Sequence, residues 1–249
     1  MYSVLGTAAL IDVGLQVLGF GISSVLKTEK FYDMFGSITF IAIAIASLFT
    51  SGSALTAKQL VLSALVMLWA LRLGTFLVVR VFKTGGDKRF DGVKVNPLKF
   101  SVYWTIQAIW IYATLLPFLF VMNATLSPSD PFVWVDSIGL FVYAAGLAIE
   151  WIADIQKFKF KMDETNEGKF ITTGLWKYSR HPNYFGEMML WWGIWMICVP
   201  DLRGAQHLAA LSPITVTALI SFLSGIPPLE RAAGSCYLSL LPTLMAPIL

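Results

Sequence analysis

The sequence is poor in charge. Only 13% of its residues are Asp, Glu, Lys or Arg, about half the share of an ordinary soluble domain. It has two cysteines, Cys198 and Cys236, too few for a disulfide framework and not at metal-ligand spacing. Its two histidines, His181 and His207, are too far apart for a local metal motif, so no metal site is expected. No Gly-x-Gly-x-x-Gly follows a strand, which argues against a Rossmann domain. No basic patch interleaved with aromatics suggests nucleic acid. There is no repeat at a fixed period and no linker rich in Ser, Pro or acidic residues. The start lacks the basic residues of a cleaved signal peptide, and no lipidation or retention signal closes the chain.

What is present is grease. Hydrophobic residues make up 57% of the chain, and the mean hydropathy is +0.70. Apolar runs of about twenty residues, the length that spans a bilayer, separate the charged clusters. They do not alternate apolar and polar positions as a membrane β-barrel would. The fold class expected is all-α: a polytopic membrane protein with about seven spans, near 4–26, 35–51, 58–82, 99–122, 132–156, 184–200 and 206–226. The tail 227–249 is broken by Pro227, Pro228, Pro242 and Pro247 and is expected at the interface rather than as a crossing helix. The whole chain, 1–249, reads as one domain, with a cofactor half from roughly residue 150 onward.

Lys and Arg orient it. The odd loops and the tail carry fifteen, among them Lys88, Arg89, Lys94, Lys157, Lys161, Lys177, Arg180 and Arg231, against only Lys58 and Arg203 in the even loops. This positive-inside bias puts the odd loops in the cytosol and the N-terminus on the other side.

Three places carry polar groups that lipid rejects. The third span holds Arg72 near its middle, with Arg80 and Lys83 on the same helical face. The latter two reach the interface by snorkelling. A central charge such as Arg72 costs several kcal/mol without a partner or water. Gln107, within the fourth span, is read with Arg72 as substrate-facing or structural. At the end of the fifth span, Glu150, Asp154, Lys157 and Lys161 advance by four, three and four, so they share one face. That face reads acid, acid, base, base outward from the membrane. It suits either a solvated helix end with local ion pairs or lysines holding a phosphate.

The third place is Gly174-Leu-Trp-Lys-Tyr-Ser-Arg-His-Pro-Asn-Tyr-Phe-Gly186, which joins a charged loop to an apolar helix. Pro182 predicts a helix starting there, whose first N–H groups suit an anion. Arg180 offers a planar fork of donors for phosphate, and Asn183 an amide for a carboxamide. Asn183, Glu187 and Trp191 then repeat at i,i+4 down into the bilayer. The plainer reading, an interfacial aromatic belt, accounts for Trp176, Tyr178 and Tyr184 but not for the Arg, His, Asn and Glu beside them. Loops three and five are expected to form one basic mouth above intramembrane polar groups.

The run Gly174-Leu-Trp-x-Tyr-Ser-Arg-His-Pro-Asn-Tyr-Phe-Gly-Glu187 resembles the signature of DUF1295 proteins, in the steroid 5α-reductase-like group. Ala153-Asp-x-Gln-Lys157-x-x-Phe-Lys161 is similar to the upstream cofactor motif of related sterol reductases, which carry Asn for Asp154 and usually Arg for Lys161. Arg72 to Arg89, with Asp87, also resembles this group. The resemblance implies NADPH-dependent reduction of a carbon–carbon double bond in a steroid- or isoprenoid-like lipid drawn from the bilayer. It implies cofactor contacts from Asp154, Lys157, Lys161, Trp176, Arg180, Asn183, Tyr184, Glu230, Arg231 and Tyr237. The proton-donor candidates are Glu150, His181, Tyr184 and Glu187. The tail departs from the pattern, with Leu240 where a second aromatic is usual and Pro242 close behind. Such a protein sits in the endoplasmic reticulum membrane of a eukaryote or the inner membrane of a bacterium.

Two rivals stand beside this reading. Isoprenylcysteine-type methyltransferases share an Arg-His-Pro-x-Tyr run but use S-adenosylmethionine. They show a Glu-Glu pair and an Asn-Pro where this chain has Leu229-Glu230-Arg231 and Val199-Pro200. A non-catalytic lipid-binding protein is the other.

Overall fold

In the computed structural model, residues 3–51, 54–84, 86, 90–127, 131–223 and 225–227 are described. Every regular element among them is helical: α1 Val4–Val25, α2 Tyr32–Thr50, α3 Ala57–Thr84, α4 Pro97–Asn123, α5 Trp134–Met162, α6 Pro182–Cys198 and α7 Leu211–Ala218. A 3-10 stretch, Gly204–Ala210, leads into α7, and a π-helical turn, Leu219–Leu223, follows it.

Local chemistry sets the starts. Ser3 caps α1 by accepting from the N–H of Gly6 at 3.2 Å. Thr56 and Gln59 cap α3 reciprocally: the Gln59 N–H donates to Thr56 Oγ1 at 3.2 Å, and the Thr56 N–H to Gln59 Oε1 at 3.0 Å. That is the capping-box arrangement, which satisfies otherwise orphaned donors. Asn96 caps α4 ahead of Pro97 at the first helical position, where a missing N–H costs nothing.

Six helical segments are long and apolar enough to cross a membrane: 4–25, 32–50, 57–83, 97–123, 134–162 and 204–223. The protein is therefore a polytopic helical membrane protein. The expected span 184–200 falls short of that length. Helix α6 has 17 residues, about 26 Å against a hydrocarbon core of about 30 Å, and it gives way to a 3-10 turn, Val199–Asp201, around Pro200. Helix α5 errs the other way. Its 29 residues reach about 44 Å, so its last turns, carrying Lys157 to Lys161, extend past the expected boundary at residue 156.

Packing separates the chain into two units: one runs to Leu140 and returns with Gly193–Ser212, the other holds Phe141–Trp192 and the described residues from Pro213 onward. In the first, Phe40 sets its ring edge-on to Trp69 at 4.8 Å and to Trp110 at 5.4 Å, inside a core that includes Ile43, Leu62, Ile111 and Phe118. Lys58 is buried at the head of α3 and bridges Asp136 at 2.9 Å and Asp201 at 2.8 Å. Arg80 does more than snorkel, since it pairs with Asp33 at 3.6 Å. Arg72 is buried at 9% exposure. Gln107 has a structural duty: its amide donates to the Tyr32 carbonyl at 3.2 Å and fills the space that the missing side chain of Gly36 leaves.

Helix α1 is packed inside out. Its buried stripe is Val4, Ala8, Asp12, Gln16, Gly19 and Ser23, while Leu10, Val13, Val17 and Leu18 are exposed. In lipid that distribution is reasonable, because apolar side chains gain nothing by leaving the bilayer and polar ones must find partners.

In the second unit α5 and α6 cross with almost no side chain between them. A Cβ on Gly186 would lie 2.5 Å from the Gly146 carbonyl oxygen and 2.6 Å from the Glu150 nitrogen. A like approach occurs within the first unit, where a Cβ on Gly139 would lie 2.8 Å from the Gly193 carbonyl oxygen. Glycine at these positions lets two backbones approach, as at many membrane-helix interfaces.

Candidate cofactor-binding site

The site residues of the second unit stand on three adjoining pieces of chain: the outer half of α5, the loop at 174–181 and the first two turns of α6. The loop is docked onto α5 by Gln156. Gly174 sits at φ +61, a left-handed conformation that glycine adopts freely. A Cβ there would strike the Gln156 amide. Gln156 Oε1 instead accepts the N–H of Leu175 at 3.0 Å. One residue on, the Trp176 indole N–H donates to the Ala153 carbonyl at 3.0 Å. Trp176 is thus buried with its one donor committed to the fold, and a hydrogen bond from it to a cofactor is not available. What it offers is a ring face, and Lys157 Nζ lies 4.7 Å from that ring's centroid, within cation–π range.

Helix α6 begins at Pro182, as its sequence predicts, and the His181 carbonyl accepts the N–H of Phe185 at 3.2 Å. The His181 and Tyr184 rings stack, with centroids 5.7 Å apart and planes 19° from parallel. Asn183 faces α5: its Nδ2 donates to Asp154 Oδ1 at 3.2 Å. The other end of the amide, Oδ1, is buried and has no partner among the described residues. One turn deeper, Glu187 accepts the Trp191 indole N–H at 3.0 Å. Along the i,i+4 stripe, Asn183 thus pairs across to α5 and Glu187 pairs with Trp191 on its own helix.

The α5 face is graded. Glu150 and Asp154 are 3% and 6% exposed, Lys157 is half-buried and Lys161 is exposed. Arg180 is also exposed. The structure brings together Asp154 with Asn183, Lys157 with Trp176, His181 with Tyr184, and Glu150 with Gly186. Glu230, Arg231 and Tyr237 lie outside the described residues.

Two positioning residues carried no role in the sequence reading. Gln156 stood within a recognised motif and anchors the loop. Gly146 pairs with Gly186. The signal was available, since Gly139 and Gly146 in α5, and Gly186 and Gly193 in α6, share a spacing of seven.

The arrangement fits an anionic ligand with an amide or amine at its buried end. The exposed cations suit phosphate oxygens. The open Asn183 acceptor suits an N–H donor, and an unsatisfied buried carbonyl costs about 1–3 kcal/mol. A carboxamide can use that oxygen together with the second hydrogen of Nδ2.

The sequence model of a family described as "Protein of unknown function (DUF1295)" matches residues 19–239. A curated protein, the Probable O-methyltransferase ustE of Ustilaginoidea virens, is 41% identical over 46 residues. That stretch is 18% of this chain and 16% of the other, so the similarity spans under a fifth of either protein. No solved structure matches.

Proposed function

The chain belongs to the DUF1295 family, and on that premise we propose that it is an NADPH-dependent membrane reductase acting on a carbon–carbon double bond of a steroid- or isoprenoid-like lipid. The observation that carries the reading is the Asn183–Asp154 hydrogen bond. It joins the two motifs that the resemblance assigns to one cofactor, and it leaves Asn183 Oδ1 buried and open.

NADPH, when bound, supplies the hydride. The chain's own residues do the rest. Lys157, Lys161 and Arg180 hold phosphates where α5 leaves the lipid. Asp154 fixes the Asn183 amide, so that Oδ1 meets the carboxamide in one orientation. Trp176 keeps Lys157 from wandering. Tyr184, stacked on His181, and the buried Glu150 and Glu187 are the groups that hold a proton for the second carbon. Of the two carboxylates, Glu187 has its Oε1 fixed by Trp191, so its orientation is set. The lipid arrives from the bilayer that the helices cross. The membrane is the endoplasmic reticulum of a eukaryote or the inner membrane of a bacterium.

Methyl transfer from S-adenosylmethionine is the second reading. The similarity to a probable O-methyltransferase favours it, and the open Asn183 acceptor would also take an ammonium. The cations along α5 have no work in that reading.

The test is isotopic. Purified protein is incubated with total lipid extract and either NADPH deuterated at the nicotinamide C4 or methyl-labelled S-adenosylmethionine. Deuterium in a lipid two hydrogens heavier than its precursor supports the reductase. A labelled methyl group in the lipid supports the transferase. Neither label in any lipid would contradict both.

A further inference from the structure

Helices α5 and α6 run antiparallel and meet in register. Asp154 faces Asn183, and Gly146 lies against Gly186 and Leu190. Between these two contacts, one turn deeper than Asn183, stand Glu150 on α5 and Glu187 on α6. Both are buried, at 3% and 9% exposure. A carboxyl so placed avoids the cost of charge by holding a proton.

The four proton-donor candidates are not equivalent. His181 and Tyr184 are only half-buried and stack on each other at the entrance of α6. Glu150 springs from the helix crossing itself, its Cβ 2.8 Å from where a Cβ on Gly186 would stand. Glu187 lies on Asn183's own face of α6, four residues and about 6 Å farther along the helix. Its Oε1 accepts the indole N–H of Trp191 at 3.0 Å, and Trp191 is fully buried. An indole N–H can only donate. The carboxyl proton of Glu187 therefore belongs on Oε2, in one orientation.

We infer that Glu187 gives the proton to the second carbon and that Trp191 is its positioning residue. This deepens the proposed function and rests on it for the reaction itself. The double bond gains a hydride on one carbon and a proton on the other. Two C–H bonds form, while the π bond and the Glu187 Oε2–H bond break. The electron pair of that O–H bond stays on the carboxylate. The hydride comes from the reduced nicotinamide, which is thereby oxidised, and solvent returns the proton after turnover. As charge appears on Glu187, the hydrogen bond from Trp191 changes from neutral to charge-assisted, about twice as strong. Trp191 thus favours the state in which the proton has left.

Full-length protein in phosphatidylcholine nanodiscs gives two independent readouts. The first needs no turnover: the infrared carbonyl stretch of a protonated carboxyl, recorded without cofactor. The difference between the parent and Glu187→Gln should contain one such band, and Trp191→Phe should move it to higher frequency, because its carbonyl loses a donor. The second is deuterium transfer to total lipid extract from NADPH deuterated at the nicotinamide C4. Glu187→Gln should slow it about a hundredfold or more, the worth of a positioned acid. Trp191→Phe should slow it about tenfold or more, the worth of one hydrogen bond to a charged group, with NADPH titration unchanged in both. In the Glu187→Gln background Trp191→Phe should add no further loss, since it acts through the absent carboxyl. Turnover that survives Glu187→Gln, a difference spectrum without the band, or losses that simply add would each overturn the inference. Should Trp191→Phe fail to fold, Glu187→Gln and its spectrum decide. A band that responds to Trp191→Phe without NADPH binding would keep the held proton and remove the reductase reading; NADPH binding with deuterium transfer indifferent to Glu187→Gln would do the opposite.

Discussion

The amide of Asn183, on the first turn of α6, donates to the carboxylate of Asp154 on α5 at 3.2 Å. The bond ties a helix entrance to a helix exit and leaves one face of the amide open. Removing the carboxylate should loosen both. Asp154→Ala is expected to cost about 1–3 kcal/mol, the penalty for stranding a partner, and to weaken ligand binding. Asp154→Asn keeps an acceptor oxygen and should fall within about 1 kcal/mol of the parent. Thermal melts in detergent compare them, and equal losses would show that the hydrogen bond is incidental.

The approach of α5 and α6 depends on two missing side chains. With the Gly146 carbonyl 2.5 Å from where a Gly186 Cβ would stand, Gly186→Val must push the helices apart. Overpacking of this kind costs about 1–3 kcal/mol. It also moves Glu150, whose backbone nitrogen lies at the same contact. Phe185→Ala, at an exposed neighbour, should leave the melt unchanged. A Gly186→Val protein as stable as the parent would rule out the close crossing.

Lys58 joins two carboxylates with its side chain only 8% exposed. Lys58→Met leaves Asp136 and Asp201 facing each other without their shared cation. A broken buried pair costs about 3–5 kcal/mol. The triple change to Met, Asn and Asn should recover most of that loss. Proteolysis rates in detergent would report it, and no recovery would mean that Lys58 acts through packing.

One ion pair outside the spans makes a pH prediction. The Lys94 ammonium donates to the Glu29 carboxylate at 2.8 Å, and this bond holds it above the ordinary lysine range. Because the folded pKa is raised, the pair's stabilisation is whole below the unfolded lysine value of about 10.4 and is lost as pH climbs through the folded value. Melting temperature should not respond to this pair from pH 7 to 9. Above about pH 10 the parent should fall more steeply than Lys94→Met. Parallel curves would show that the pair contributes nothing.

Much of this was legible in the sequence because membrane helices announce themselves by length and because a turn has a fixed period. Pro182 marked the start of α6. The spacing of Glu150, Asp154, Lys157 and Lys161 set one graded face, and Asn183, Glu187 and Trp191 one stripe. What stayed hidden depends on distance in space. Lys58 reads as a loop charge, yet it is buried because Asp136 and Asp201 arrive from 78 and 143 residues away in sequence. Trp176 reads as a ligand contact, yet its N–H is taken by Ala153. Asp12 escaped notice because a single carboxylate barely dents an apolar run of twenty residues. Its depth alone should have marked it.

Under the proposed function, the cations of α5 and its following loop, with Asn183, hold NADPH. Equilibrium titration of the purified protein with NADPH, NADH and S-adenosylmethionine, repeated on Lys157→Ala and Arg180→Ala, tests it most directly. The account predicts that NADPH binds tightest and that each substitution weakens it about tenfold or more, the loss of a charge-assisted contact. Arg180→Ala should cost NADH much less if Arg180 holds the 2′-phosphate that NADH lacks, and equal losses would assign it to the pyrophosphate instead. Tighter binding of S-adenosylmethionine, or NADPH affinity indifferent to both substitutions, would contradict it.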